Sequence, residues 1–184
     1  MRNALGNSIL FLQVKGQDQE AYGRFYDLYV KRIYRFVYFK VNSTTDAQDL
    51  TSEVFLKIWQ YIKEGKDIKN LNAFTYMIAR NLVIDFYRSK SREDQSLENT
   101  NTLDQVDQSK DLLKEQIKDS DLRGVLSGLD HLKDEYKEVI ILKYLDELST
   151  KEIAEIVGKT NGAVRVLLHR AIEALKKNIK TDEE

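Results

Sequence analysis

The stretch LSTKEIAEIVGKTNGAVRVLLHRAIEALKK, Leu148 to Lys177, decides how the chain is read. Ser149 followed by Glu152 has the form of a capping box, in which a hydroxyl and a carboxylate satisfy the orphan N–H groups at the start of a short helix. Gly158 marks the end of that helix, because glycine takes a positive φ at no steric cost. Thr160 can cap a last helix running to about Lys177. Between Thr150 and His169, the residues Ile153, Ala154, Val157, Gly158, Val164 and Leu167 stand where a helix-turn-helix needs its buried and turning positions. Ala154 is small where two helices cross, and the four aliphatics lock the pair together.

With Val164, Leu167 and Leu168 turned inward, the outer face of the last helix carries Asn161, Gly162, Arg165, Val166, His169 and Arg170, which suits a major groove. Backbone N–H groups near Thr160 and Asn161 can meet a phosphate, Arg165 can read guanine edges, and Lys176 or Lys177 can add backbone contacts. A lone surface arginine is ordinarily just solvated, so the role of Arg165 rests on the motif around it.

Upstream of this motif, apolar residues recur at helical spacing at Leu112, Leu113 and Ile117, at Leu122, Val125, Leu126 and Leu129, and at Tyr136, Val139, Ile140 and Tyr144. Residues 93–109 hold only Leu97, Leu103 and Val106 as isolated apolar positions, cannot bury a core, and read as a linker. Before the linker, Tyr22, Phe25, Tyr26, Tyr29, Ile33, Phe36 and Val37 predict a helix between Gln17 and Lys40. Thr45 and Gln48 resemble a capping box ahead of a second stripe, Ala47, Leu50, Val54, Phe55, Ile58 and Ile62, which Lys63 to Asn70 interrupts. A third helix starts near Asn70 or Asn72 with Phe74, Ile78, Leu82 and Phe86 as its apolar row, and ends in the basic run Arg88 to Arg92.

The expected fold is therefore all-α, with two small helical domains joined by an acidic linker. The N-terminal one is a bundle of three or four helices and the C-terminal one contains the helix-turn-helix. The boundaries are an N-terminal extension at 1–15, the bundle at 16–92, the linker at 93–118, the second domain at 119–178 and an acidic tail at 179–184.

Composition agrees with this division. The 184 residues include no proline and only 8 glycines, which favours helices, and 42% hydrophobic residues are enough for modest cores. The absence of cysteine removes disulfides, thiolate metal sites and cysteine nucleophiles, and fits a reducing cytoplasm. No apolar run approaches the roughly 20 residues that span a bilayer, and Met1 to Val14 has no credible cleavage site. A formal charge of −1 looks wrong for a nucleic-acid binder, but the charge is segregated. Residues 15–92 carry 14 Lys and Arg against 9 Asp and Glu, residues 93–121 carry 3 against 9, and residues 122–180 carry 11 against 9.

The third helix also has a polar face, Asn81, Asp85, Arg88 and Arg92, opposite its apolar row. Tyr76, Tyr87, Lys63, Lys66 and Lys69 lie nearby in sequence and supply the rings and cations that single-stranded DNA binding uses. Asp46, Asp49 and Glu53, taken alone, form a solvated helix side near a favourable dipole position.

At these residues the chain resembles an extracytoplasmic-function sigma factor, a compact member of the sigma-70 family of bacterial RNA polymerase. DAQDLTSEVFLKIW at Asp46 to Trp59 is similar to the segment those proteins dock on the polymerase clamp helices. NAFTYMIARNLVIDFYR at Asn72 to Arg88 is similar to their promoter-melting helix, and the stretch from Leu148 to their helix-turn-helix. The resemblance implies that Asp46, Asp49 and Glu53 face the polymerase and that the loop Lys66 to Asn70 captures a flipped base of the −10 element. Lys66, Asn70, Tyr76, Arg80, Asn81, Asp85 and Arg88 are the candidate residues there. It further implies that Thr160, Asn161, Gly162, Arg165, Val166, His169 and Arg170 approach the −35 element.

The partners implied are core RNA polymerase, through its clamp helices and flap, promoter DNA, and an anti-sigma factor. No catalytic residue, metal, cofactor, small-molecule substrate or membrane insertion is expected, and the location implied is cytoplasmic. The chain departs from the family at Val166 and Leu167, where a Ser-Arg pair is usual, at Ile172, where an arginine is usual, and at Ser52, where glutamine is frequent. Two other readings compete. A stand-alone helix-turn-helix regulator of duplex operators would use half of the chain. A helical enzyme would need a nucleophile, metal ligands or a phosphate loop, and only His131 and His169 are at hand.

Overall fold

The computed structural model describes residues 4–96, 128–129 and 131–181, and among them the only regular structure is helical. They belong to two compact units. The first contains α1 (Ala4–Lys15), α2 (Gln19–Val41), α3 (Thr44–Lys63) and α4 (Leu71–Ser96). The second contains α5 (Asp134–Ile140), a π-helical turn (Ile141–Leu145), α6 (Thr150–Val157) and α7 (Asn161–Thr181). The apolar residues from Leu112 to Leu126, and the linker from residue 97 onward, lie outside the described residues.

In the first unit, α2 and α3 bury the predicted stripes: Phe25, Tyr29, Ile33, Phe36 and Val37 on one, Ala47, Leu50, Val54, Phe55, Ile58 and Ile62 on the other. The start of α3 at Thr44 puts Thr45 inside the first turn, so the Thr45–Gln48 pair is not its cap. Residues 4–15, set apart from the bundle by sequence, fold as α1 against α2. Val14 is completely buried, and the Phe11 ring meets Phe25 at 6.3 Å and Tyr29 at 6.2 Å. Aromatic pairs at such spacing add to the area they bury. Asp18 then caps α2, its Oδ1 accepting from the N–H groups of Glu20 and Ala21 at 2.9 and 3.1 Å.

The buried row of α4 differs from the predicted one. Leu82 is common to both, but the deep positions are Thr75, Tyr76, Ala79 and Val83, while Phe74, Ile78 and Phe86 are only half-buried. Small Ala79 and a flat ring at Tyr76 let α4 lie close to α2, where Tyr76 meets Phe36 edge-on at 5.5 Å. A regular row of large residues is thus not the row that faces the core when the neighbouring helix comes close. The helix also continues past Arg92 to Ser96.

In the second unit the spacing of Tyr136, Val139, Ile140 and Tyr144 is interrupted. The Asp146 N–H donates to the Ile141 carbonyl at 3.0 Å, a five-residue step that widens the turn. Ile141 and Leu142 are buried and Tyr144 is turned outward at 56% exposure. Leu129, Val139, Ile153, Val164 and Ala171 fill the core of this unit. Gly128 lies close to α7, with its carbonyl accepting from Asn178 at 3.2 Å and the Leu175 and Ile179 side chains about where a Cβ would go.

Candidate nucleic-acid interface

α6 and α7 are joined by a turn whose every residue has a stereochemical task. Ser149 Oγ accepts from the Glu152 N–H at 3.2 Å, and the Glu152 carboxylate accepts from the Ser149 N–H at 2.9 Å, which completes the capping box. Gly158 has φ 67°, the left-handed value, and the Lys159 N–H returns to the Ala154 carbonyl at 3.0 Å. Thr160 then caps α7, its Oγ1 accepting from the Ala163 N–H at 3.2 Å. Lys159 also pairs with Glu135 of α5 at 3.1 Å.

On α7, Val164, Leu167, Leu168 and Ala171 are buried against the rest of the unit. Asn161, Gly162, Arg165, Val166, His169 and Arg170 are exposed together with Thr160. The face is continuous because these positions share one side of a helix with 3.6 residues per turn. Gly162 has nothing within 4 Å of where a Cβ would stand, so the fold does not require glycine there. Among the departures from the family pattern on α7, Leu167 is a core residue and Ile172 is half-buried, which leaves Val166, 52% exposed, as the one of these three lying fully on the outer surface.

The second polar face is on α4. Asn81, Asp85, Arg88 and Arg92 are all exposed, with Arg88 and Asp85 at 3.7 Å. Beside this face, the end of α3 and the following loop wall a cleft of about 360 Å³, lined by Lys57, Gln60, Tyr61, Glu64, Lys66, Ile78, Asn81, Leu82 and Asp85. The loop has a defined shape. Gly65, at φ 67°, ends α3, with its own N–H bonded to the Ile62 carbonyl at 3.0 Å and that of Lys66 to the Tyr61 carbonyl at 3.3 Å. Ile68 is buried beneath the loop, and Lys15 of α1 reaches Asp67 at 3.2 Å. The Lys66 ammonium sits 2.5 Å from Glu64 and 4.3 Å from the centre of the Tyr61 ring, and its hydrogen bond to Glu64 raises its pKa. Phe74 supports Tyr61 from below at 5.0 Å.

The sequence-predicted set for this region separates into three groups. Lys66, Asn81 and Asp85 meet at the cleft, and Arg88 continues the exposed face. Asn70 is half-buried and caps α4, its Oδ1 accepting from the Ala73 N–H at 3.1 Å, while Arg80 is half-buried and engaged within the fold. Tyr76 is a correction: it is fully buried, so its ring cannot meet a base without unpacking α4 from α2. Gln60, Tyr61 and Glu64 were not singled out from the sequence. The signal for them was available, since Gln60 and Tyr61 on the last turn of α3 stand four and three residues before Glu64, which follows the helix and opens the basic loop.

On α3, Asp49 and Glu53 are exposed and Asp46 is half-buried, with Glu53 paired to Lys57 at 3.3 Å. Leu56, also unremarked in the sequence, continues the same side of the helix at 56% exposure. No helix among the described residues is long and apolar enough to cross a membrane.

Comparison with known proteins points in one direction. Residues 25–93 match the family model of sigma-70 region 2, and residues 122–175 match that of sigma-70 region 4. The chain is 31% identical over 175 residues to the ECF RNA polymerase sigma factor SigW of Bacillus subtilis, covering 91% of this chain and 94% of SigW. It is 33% identical over 172 residues to the ECF RNA polymerase sigma factor BldN of Streptomyces coelicolor, covering 90% of this chain and 62% of BldN. The fold is similar to that of CnrH, solved in complex with the cytosolic domain of CnrY, with a TM-score of 0.69, 21% identity and coverage of 95% of this chain and 97% of CnrH. It is also similar to the sigma factor RpoE of Bartonella quintana, solved with the anti-sigma factor NepR, with a TM-score of 0.67, 22% identity and coverage of 87% and 97%.

Proposed function

Since the chain belongs to the extracytoplasmic-function sigma factors of the sigma-70 family, we propose that it binds core RNA polymerase, recognises the −35 and −10 promoter elements, melts the DNA and so directs transcription initiation. The observation that carries this is the presence, in one chain, of a helix-turn-helix with an exposed outer face and of a second exposed polar face beside a base-sized cleft. A duplex-binding regulator would use the first and leave the second without a task.

In this mechanism the outer face of α7 lies in the major groove of the −35 element. Arg165 reads a base edge, and the N–H groups at Thr160 and Asn161 hold a phosphate. Gly162 lets the backbone approach, while Val166, His169 and Arg170 complete the contact. An unpaired base of the −10 element enters the cleft between Lys66, Asn81 and Asp85, with Arg88 and Arg80 along the strand and Asn70 holding the loop in place. Asp46, Asp49 and Glu53 face the polymerase clamp, and Leu56 adds apolar contact at the end of that face.

Opening needs no ATP, because captured bases, at about 1–3 kcal/mol of stacking each, offset the pairing that is lost. The sigma factor contributes no bond-making step; the polymerase supplies the chemistry. With a net charge of −1, the protein binds free DNA weakly, and the complex tightens when core enzyme supplies further phosphate contacts. CnrH and RpoE are each held by a protein partner in their solved complexes, and an anti-sigma factor that occludes one of these faces is the corresponding regulator here.

Run-off transcription with purified core polymerase tests the proposal. Specific transcripts should appear only when the protein is added, and the protein should co-elute with core enzyme. Failure of core enzyme to retain it, together with tight sequence-specific duplex binding in a gel shift without polymerase, would instead identify a stand-alone regulator.

A further inference from the structure

The outward crest of α7 carries an apolar residue. At about 100° per residue, the buried Val164, Leu167, Leu168 and Ala171 centre on one direction, and the opposite direction passes between Gly162, Val166 and His169. Gly162 stands about 10° from that direction, Val166 and His169 about 30°, and Arg165 and Arg170 about 70°, one on either flank. The arginines are thus placed to reach down the two sides of whatever the crest meets. Val166, 52% exposed, is aimed at it directly.

The backbone around Val166 makes a shallow notch. Side chains on an α-helix lean toward its N-terminus, so the Val166 methyl groups lie over the turn that holds Gly162, four residues earlier. Gly162 has no side chain, and nothing stands within 4 Å of where its Cβ would be. The notch therefore has two methyl groups for a wall and bare backbone for a floor. A β-branched side chain in a helix is held almost entirely in one rotamer, so the wall is in place before anything docks against it, and docking costs little freedom.

In a major groove such a wall has one partner. Base edges there present nitrogen and oxygen acceptors and amino donors, and the apolar group among them is the thymine C5 methyl. Valine has neither donor nor acceptor, so an amino group or carbonyl pressed against it gives up its hydrogen bond to water for nothing. We propose that Val166 is a specificity-determining residue that selects thymine at one position of the −35 element, its methyl groups meeting the C5 methyl above the bare backbone of Gly162. This rests on the sigma-factor reading, and adds an apolar choice of base to the edge read by Arg165. The serine usual at this place in the family would not impose that choice, since a hydroxyl serves donors and acceptors alike.

The test uses holoenzyme assembled with core polymerase on a promoter identified by run-off transcription. Each thymine of its −35 element, on either strand, is replaced in turn by deoxyuridine, which removes only the C5 methyl. At one thymine the wild type should bind about fourfold more weakly, the worth of one buried methyl group. Val166→Ser should keep the wild-type melting temperature, because the side chain is exposed, and should bind thymine and deoxyuridine at that position equally. Any effect of the missing methyl on the duplex itself would persist in the variant, so lost discrimination reports the contact. Wild-type indifference to deoxyuridine at every −35 thymine, a −35 element without thymine, or a Val166→Ser protein as sensitive as the wild type overturns the thymine contact and leaves the sigma-factor reading intact. A wild-type chain that core polymerase does not retain, and that starts no transcript, overturns both.

Discussion

The two polar faces of this protein are built in opposite ways. On α7, the residues that face outward are distinct from those that hold the helix, since Val164, Leu167 and Leu168 do the packing and Asn161, Arg165 and His169 take no part in it. On α4, the two tasks share the same few turns. Asn70 caps the helix, Tyr76 is core, Arg80 is half-buried, and Asn81, Asp85, Arg88 and Arg92 are at the surface. A face that is separate from its scaffold can change its specificity without altering stability. An interwoven face cannot, and substitutions there lose function by unfolding as readily as by losing a contact.

The largest effect that follows is at Tyr76. Replacing this fully buried ring by alanine leaves a cavity between α2 and α4 and should destabilise the first unit by about 3–5 kcal/mol, measured by chemical denaturation. Promoter opening should fall in parallel with the folded fraction. A Tyr76→Ala protein of wild-type stability that fails only in promoter opening would show that the ring acts on DNA, and would erase the contrast between the faces.

Arg165→Ala should do the reverse. The side chain is exposed, so thermal stability should not move, while recognition of the −35 element should weaken by about 1–3 kcal/mol, the value of one bidentate base contact. Competition among promoter variants reads this directly, because a lost base contact relaxes discrimination at one position. A lost phosphate contact would weaken all variants equally.

The helix-turn-helix was legible because each of its positions has few alternatives. Ser149 and Glu152, Gly158 at positive φ, and Thr160 each answer a local backbone demand that the sequence alone states. The phase of α4 was not legible, because Phe74, Ile78, Leu82 and Phe86 form as regular a row as Tyr76, Ala79 and Val83. What chooses between them is how close α2 can come, and that is a property of the assembled bundle. Tyr144 was misplaced for a related reason, since one widened turn rotates everything after it and leaves no trace in residue spacing. The cleft beside Asn81 was half legible. Lys66 and Asp85 were named; the spacing of Gln60, Tyr61 and Glu64 at the end of α3 and just beyond it could be read, but that they meet Asn81 and Asp85 is set by tertiary packing.

A smaller effect tests how the first unit holds its shape. The Tyr22 hydroxyl of α2 donates to the Phe55 carbonyl of α3, and burial raises its pKa well above the ordinary 10.0, with Tyr26 adding to the shift and a backbone hydrogen bond from Trp59 opposing it. The folded state therefore keeps the proton at a pH where the unfolded chain has lost it. The contribution to stability is complete below pH 10 and is lost as pH rises above it. Tyr22→Phe should cost about 1 kcal/mol at neutral pH through the lost hydrogen bond. It should also flatten the fall in stability between pH 9 and pH 11, as read from urea midpoints. An alkaline slope unchanged in Tyr22→Phe would place its origin in another group.

The smallest effect is the sharpest for α7. Gly162 stands in the first turn of α7 with open space around the position of a Cβ, so packing gives no reason for glycine. Alanine is the better helix former, and Gly162→Ala should raise the stability of the second unit by up to about 1 kcal/mol. If the backbone at this point approaches a phosphate or a base edge, the added methyl group must lie in the DNA contact, and the same variant should bind the −35 element less well. A gain in melting temperature accompanied by weaker promoter binding would mean that glycine is kept here for the partner and not for the fold. A gain in both would move the DNA contact away from the first turn of α7, toward Arg165 and His169.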